Sequence, residues 1–238
     1  MKPVRFHSWN VSPDEASAIQ INLRDKVQVQ PLPDEIHLVI GTSVAIDPNN
    51  DTIHAALVVL RFPDMELVER HGLSEKITFP YVRGLLAFRE APPLMKLMKR
   101  IQHKPDVILF HSHGLAHPRR FGLASHLGVL FDIPSLGVAD RVLVGYHDEI
   151  DLEKGHHAPL VHNGEEVGLA LRTKEGVSPV FISVGHKADL LTTMDLTLEC
   201  TTHYRRPEPI RQAHLAVEAQ QDGESIDIDV GGDQTTLF

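Results

Sequence analysis

The chemistry-bearing residues cluster around one short apolar run. Val107 to Phe110 reads as a buried strand, and His111 and His113 at its end are separated by one residue, so both side chains can point to the same side. His117 follows in the next turn. Neutral imidazoles in this arrangement suit Zn, Fe or Mn better than Mg. The competing reading is that they fill the space without a metal, since a chain with 16 histidines brings some together by chance. Two cation pairs, Arg119-Arg120 and Arg205-Arg206, could meet phosphates. In Pro80-Tyr81-Val82-Arg83-Gly84 an aromatic ring is held between turn residues, as a core side chain or as a group presented to a partner.

Composition limits what these groups can serve. The 238 residues, 42% hydrophobic, suffice for one sizeable core. One cysteine, Cys200, excludes a disulfide scaffold, and no apolar run approaches the roughly 20 residues that span a bilayer. The N-terminus lacks the pattern of a secretory signal, so a cytoplasmic location without a membrane partner is expected. The net charge is −9, but six acids and no Lys or Arg lie from Glu218 onward; setting them aside leaves −3, so the body is nearly neutral. Nucleic acid is therefore not excluded.

The elements that must position the candidate groups are legible in outline. Ser12-Pro13-Asp14-Glu15 carries a capping box and opens a helix to about Lys26. Ile36 to Ala45, Ile53 to Arg61 and Glu66 to Lys76 read as an antiparallel meander around the turn Asp47 to Asp51. Strand and helix then alternate, which implies parallel strands. A helix is expected from Pro92-Pro93 to Gln102, a strand over 107–110, a helix over 122–131 and a strand over 135–138. Val167 to Leu171 and Val180 to Val184 suggest a hairpin, followed by a helix from Lys187 to Cys200. The outcome is an α/β fold, a mixed sheet flanked by helices. It spans residues 1–217, with an acidic flexible tail over 218–238.

Four segments, Pro80 to Glu90, Gly114 to Gly128, Ser183 to His186 and Arg211 to His214, together resemble endonuclease V, in the family's order and across roughly residues 10 to 217. The resemblance implies an RNase H-like fold and recognition of deaminated bases, chiefly inosine, in DNA or RNA. It further implies phosphodiester hydrolysis on the 3′ side of the lesion with Mg or Mn. Such ions, held by carboxylates, activate water and neutralise charge in the transition state. By the same resemblance Glu90 and His214 match catalytic positions. Tyr81 matches the wedge that helps extrude the base, and Gly84, Gly114, His117 and Arg119 fall in nucleic-acid-binding segments. His186 reads as structural.

Three positions depart from the family. Ser43 stands where the first strand should carry Asp, His111 replaces a second Asp, and Asp140 replaces a Lys. The formal sum is unchanged, but two oxygen ligands are lost. Asp47, about 13 Å farther along the strand at about 3.3 Å per residue, is too far to substitute for Ser43. Asp140 is the better substitute, giving a rebuilt centre of Glu90, Asp140 and His214, or a histidine-based one that adds His111 and His113. Cleavage is then expected to be impaired or metal-altered. The alternatives are a non-catalytic lesion-binding or adaptor protein, or a metalloenzyme with new chemistry. Finally, Gln234, Leu237 and Phe238 resemble the Q-x-x-L-F peptide by which bacterial repair proteins dock on the sliding clamp.

Overall fold

A computed structural model describes residues 1–229. The chain runs α1 (Pro13–Arg24), β1 (Leu38–Asp47), β2 (Thr52–Arg61), β3 (Glu66–Lys76), α2 (Ala87–Arg100), β4 (Val107–Phe110), α3 (Leu123–Phe131) and β5 (Ser135–Ala139). It continues through β6 (His157–His162), β7 (Glu165–Leu171), β8 (Val180–His186), α4 (Leu190–Glu199), α5 (Glu208–Gln221) and β9 (Ile228–Asp229). The strands form one sheet in the order β6-β7-β8-β5-β4-β1-β2-β3-β9. The central β1, β4 and β5 are parallel and the outer pairs antiparallel. The expected mixed sheet, its meander and its parallel centre are therefore present.

Each face of the sheet carries its own apolar layer. Ile40, Ile108 and Phe110 point into the layer under α2 and α3, while Val39, Val107 and Leu109 point into the one under α4 and α5. That alternation along β1 and β4 follows from the two-residue period of a strand buried on both faces. α5 lies unusually close to the sheet. A Cβ on Gly41 would fall 1.9 Å from the Pro209 carbonyl oxygen, so only glycine permits this approach.

Four sequence expectations are corrected. α2 begins at Ala87, before Pro92-Pro93, and both prolines lie inside it. The buried set Ala87, Phe88, Ala91, Leu94, Met95 and Met98 continues across them, and packing of that face outweighs the lost backbone bonds. The start matters because it puts Glu90 in the first turn. β6 was not anticipated, although β6 and β7 meet at Asn163-Gly164, both with positive φ, the strongest short hairpin signal. β7 does pair with β8, as expected. The last helix before α5 starts at Leu190 rather than Lys187, because Asp189 caps it by accepting from Thr192 N.

The fourth correction concerns the tail, which is not free from Glu218. α5 continues to Gln221, and Ile226, 3% exposed, packs with Ala56, Ala216 and Val217. Asp227 Oδ1 accepts from Gly72 N at 2.9 Å and β9 pairs with β3. The acidic composition concealed one apolar anchor and one strand edge needing a partner. Gln234, Leu237 and Phe238 lie outside the described residues. Replacing Ile226 with Ala should lower unfolding stability by about 2 kcal/mol, measured by urea denaturation; a parent-like midpoint would return the segment to a free tail.

Candidate nucleic-acid site

Parallel pairing of β1, β4 and β5 brings three consecutive strand ends together. Thr42 is opposite Phe110, and Phe110 opposite Gly137, so Ser43, His111 and Asp140 meet at the carboxyl edge. His111 Nε2 donates to Asp140 Oδ2 at 3.0 Å, which leaves Nδ1 to accept from the Ser43 hydroxyl at 3.5 Å. The order Ser, His, Asp is that of a nucleophilic relay. Ser43 is only 2% exposed, however, and its contact with His111 is long, so the chain serves to fix the imidazole.

Asp140 is the hub. Besides His111 it accepts from Arg205 Nη1 at 2.8 Å and from Arg206 Nη2 at 2.6 Å and Nε at 3.3 Å. Burial alone would raise its carboxyl, but hydrogen bonds from His111 and Arg206 hold it far below the usual carboxylate range. Asp140, expected to substitute as a ligand, has both carboxylate oxygens engaged by cationic or imidazole groups of the protein itself. Close packing of α5 at Gly41 also brings His214 opposite, with its ring centroid 6.2 Å from that of His111. His214 lies 3.4 Å from Glu218, and burial lowers its pKa.

The carboxyl of Glu90, in the first turn of α2, makes no hydrogen bond among the described residues. Removal from water pushes its carboxyl up to about 8, against a weaker opposing pull from Arg89. The remaining histidines do not converge on a common point. His113 is pushed down to about 4 by burial and its Nδ1 is buried without a partner. His117 donates from Nε2 to the Gly84 carbonyl at 2.9 Å, accepts at Nδ1 from Arg119 N at 3.2 Å, and is pushed by burial to about 3. Among the described residues, no group of three or more His, Cys, Asp or Glu is arranged to hold a metal ion. The strand-end donor set, a hydroxyl, an imidazole and one carboxylate saturated by arginines, offers Mg few free anionic oxygens.

Beside this centre opens a crevice of about 390 Å³, lined by Tyr81, Val82, Gly84, His113, His117 and Leu143 among others. Tyr81 stands 72% exposed at its edge, which excludes the core reading. Arg83 Nη2 donates to Leu143 O at 3.0 Å and ties the tyrosine loop to the segment after β5. Gly84 has φ +80°, and a side chain there would press on Arg119, whose guanidinium donates to Gly84 O and to Gln20 Oε1. Gly114 is elsewhere, packed against the Val184 carbonyl beneath the crevice. Arg120 is spent on Glu165 and His162. His186 is structural as expected, 1% exposed between Gln28 N and Asp132. Sequence reading missed Arg141, an exposed crevice residue whose side chain makes no hydrogen bond or ion pair among the described residues. Its position next to Asp140 was the available signal.

Comparisons with known proteins agree with this geometry. The profile of the Endonuclease V family matches residues 21–215. Endonuclease V from Nostoc punctiforme is 42% identical over 221 residues, covering 92% of this chain and all of that protein. The crystal structure of Endonuclease V from Streptomyces avermitilis superposes with a TM-score of 0.86 at 39% identity, covering 91% of this chain and 96% of that one. Endonuclease V from Ciona intestinalis, solved with a 24mer DNA containing an inosine followed by a ribo-adenosine, gives 0.77 at 28% identity over 88% of this chain and 98% of that one. The fold is accordingly RNase H-like, and among the described residues no helix is long and apolar enough to cross a membrane. Matched over most of its length in sequence and in structure, the chain belongs to the endonuclease V family of metal-dependent nucleases.

Proposed function

We propose that the protein recognises a deaminated base, inosine, in a nucleic-acid strand by taking it into the Tyr81–Gly84 crevice, and that hydrolysis 3′ to the lesion is severely weakened. The observation that carries the reading is the juxtaposition of an exposed tyrosine, a base-sized crevice and an altered strand-end centre. Tyr81 compensates for stacking lost when the base leaves the helix. The neutral His117, fixed by Gly84 O and Arg119 N, keeps the crevice wall rigid, so the base meets a surface that does not reorganise.

Hydrolysis needs an ion to neutralise the phosphorane-like transition state, and in the family that ion is held by carboxylates. Here Ser43 and His111 cannot replace two anionic oxygens, and Asp140 is turned to Arg205 and Arg206. The same saturation of Asp140 favours lesion binding without cleavage as the second reading. For the tail, Gln234, Leu237 and Phe238 are proposed to dock on a bacterial sliding clamp at micromolar affinity, about −8 kcal/mol.

Loss of the groups that merely orient metal ligands costs about 10–100-fold, so loss of the ligands themselves should lower Mg-dependent cleavage of inosine DNA by about 10²-fold or more relative to a family member. Robust turnover in Mg would refute the impairment. The triple variant Ser43→Asp, His111→Asp, Asp140→Lys should regain activity in the same assay, whereas a silent triple variant would show that the loss extends beyond these positions.

Glu90 gives a pH signature. Its folded pKa, about 8, lies above the ordinary value of 4.5, so its contribution to stability is full below about pH 4.5 and is lost as pH rises through about 8. Glu90→Gln should therefore melt near the parent at pH 5 and above it at pH 9. Parallel melting curves for the two proteins at both pH values would contradict the assignment. Deleting Gln234 to Phe238 should abolish clamp binding, read by surface plasmon resonance, while leaving the melting temperature unchanged; equal binding by the truncated chain would reduce the peptide to coincidence.

A further inference from the structure

The altered centre carries a charge arrangement opposite to that of a metal site. A carboxylate cluster attracts a cation, which in turn attracts phosphate. Here Asp140 is the single ionised acid of the hub, and it faces two guanidinium groups. One cationic charge is therefore left over. Arg205 is largely committed, since each of its three nitrogens donates, to Ser178 O, to Asp140 and to Pro179 O. Arg206 differs. Its Nε and Nη2 are held by Asp140, which fixes the plane of the fork, while Nη1 makes no hydrogen bond among the described residues. The side chains of Arg206, His111 and Asp140 are partly exposed, so the site can be reached from solvent. Arg141, the residue after Asp140, lines the crevice and is exposed without a side-chain partner.

We infer that a backbone phosphate beside the extruded base docks directly on the free edge of Arg206, with Arg141 at the crevice rim as a second contact, and that this contact needs no metal ion. The inference rests on the lesion-binding reading for the position of the strand. Asp140 acts here as a positioning residue: it presents Arg206 in one orientation, which reduces the side-chain entropy lost on binding. A guanidinium so held offers phosphate a charge-assisted hydrogen bond.

The test uses the full chain and fluorescent strands with and without inosine, followed by anisotropy over a range of salt, in EDTA and in millimolar Mg or Mn. Inosine-strand affinity should be the same in EDTA and in metal. Arg206→Gln and, separately, Arg141→Gln should each weaken binding about tenfold and reduce the salt slope by about one. Arg141→Gln leaves the Asp140 hub intact, so its result stands even if Arg206→Gln destabilises the fold. Binding that appears only when metal is added, or parent-like affinity and slope in both variants, would overturn the inference. Equal affinity for the two strands, with both variants still weakened, would remove the lesion reading and leave the phosphate contact standing.

Discussion

The ion pairs of Asp140 with Arg205 and Arg206 are the constraint on which the rest of the site depends. Asp140 directly follows β5, His111 directly follows β4, and the two arginines lie in the connection between α4 and α5. One carboxylate thus ties two central strands to the segment that enters α5, and α5 carries His214 back over β1. The carboxylate is partly withdrawn from water, where an unpaired charge would be costly, and three donors offset that cost. A metal ion held between strand-end carboxylates would join the same elements. In this chain the side chains of His111, Asp140, Arg205 and Arg206 make that junction.

The crevice beside this centre is held by a different set of contacts. Tyr81, Gly84 and His117 form a wall held by backbone and side-chain bonds, with Arg119 bound behind it. None of those contacts involves Ser43, His111 or Asp140. The two are nonetheless linked through the chain, since His113 and Arg141, which line the crevice, lie within two residues of His111 and Asp140.

Much of the fold was legible because its signals are local. The capping box of Ser12 and Glu15 forms as expected, with Glu15 Oε2 accepting from Ser12 N at 2.8 Å, and the meander follows its turn chemistry. The parallel pairing expected from alternating strand and helix holds for β4 and β5, and it places Asp140 beside His111. What was not legible is which charges would be spent internally. Arg205 and Asp140 are 65 residues apart, and nothing in the local pattern around either shows that they pair. Arg119 and Arg120 read as phosphate contacts for the same reason, yet both serve internal carbonyl and carboxylate groups. The prolines of α2 misled in the opposite direction, since a strong local rule yielded to burial of a whole helical face.

The docking of β9 has a consequence for behaviour at high concentration. β3 would otherwise end the sheet with a long run of open backbone groups, a template on which a second molecule could add its own strand. Ile228 and Asp229 pair with Arg70 and Glu69, and the Asp227 carboxylate takes the Gly72 amide. The acidic charges along this segment add repulsion between neighbouring copies, so the same short stretch that closes the edge also discourages self-association.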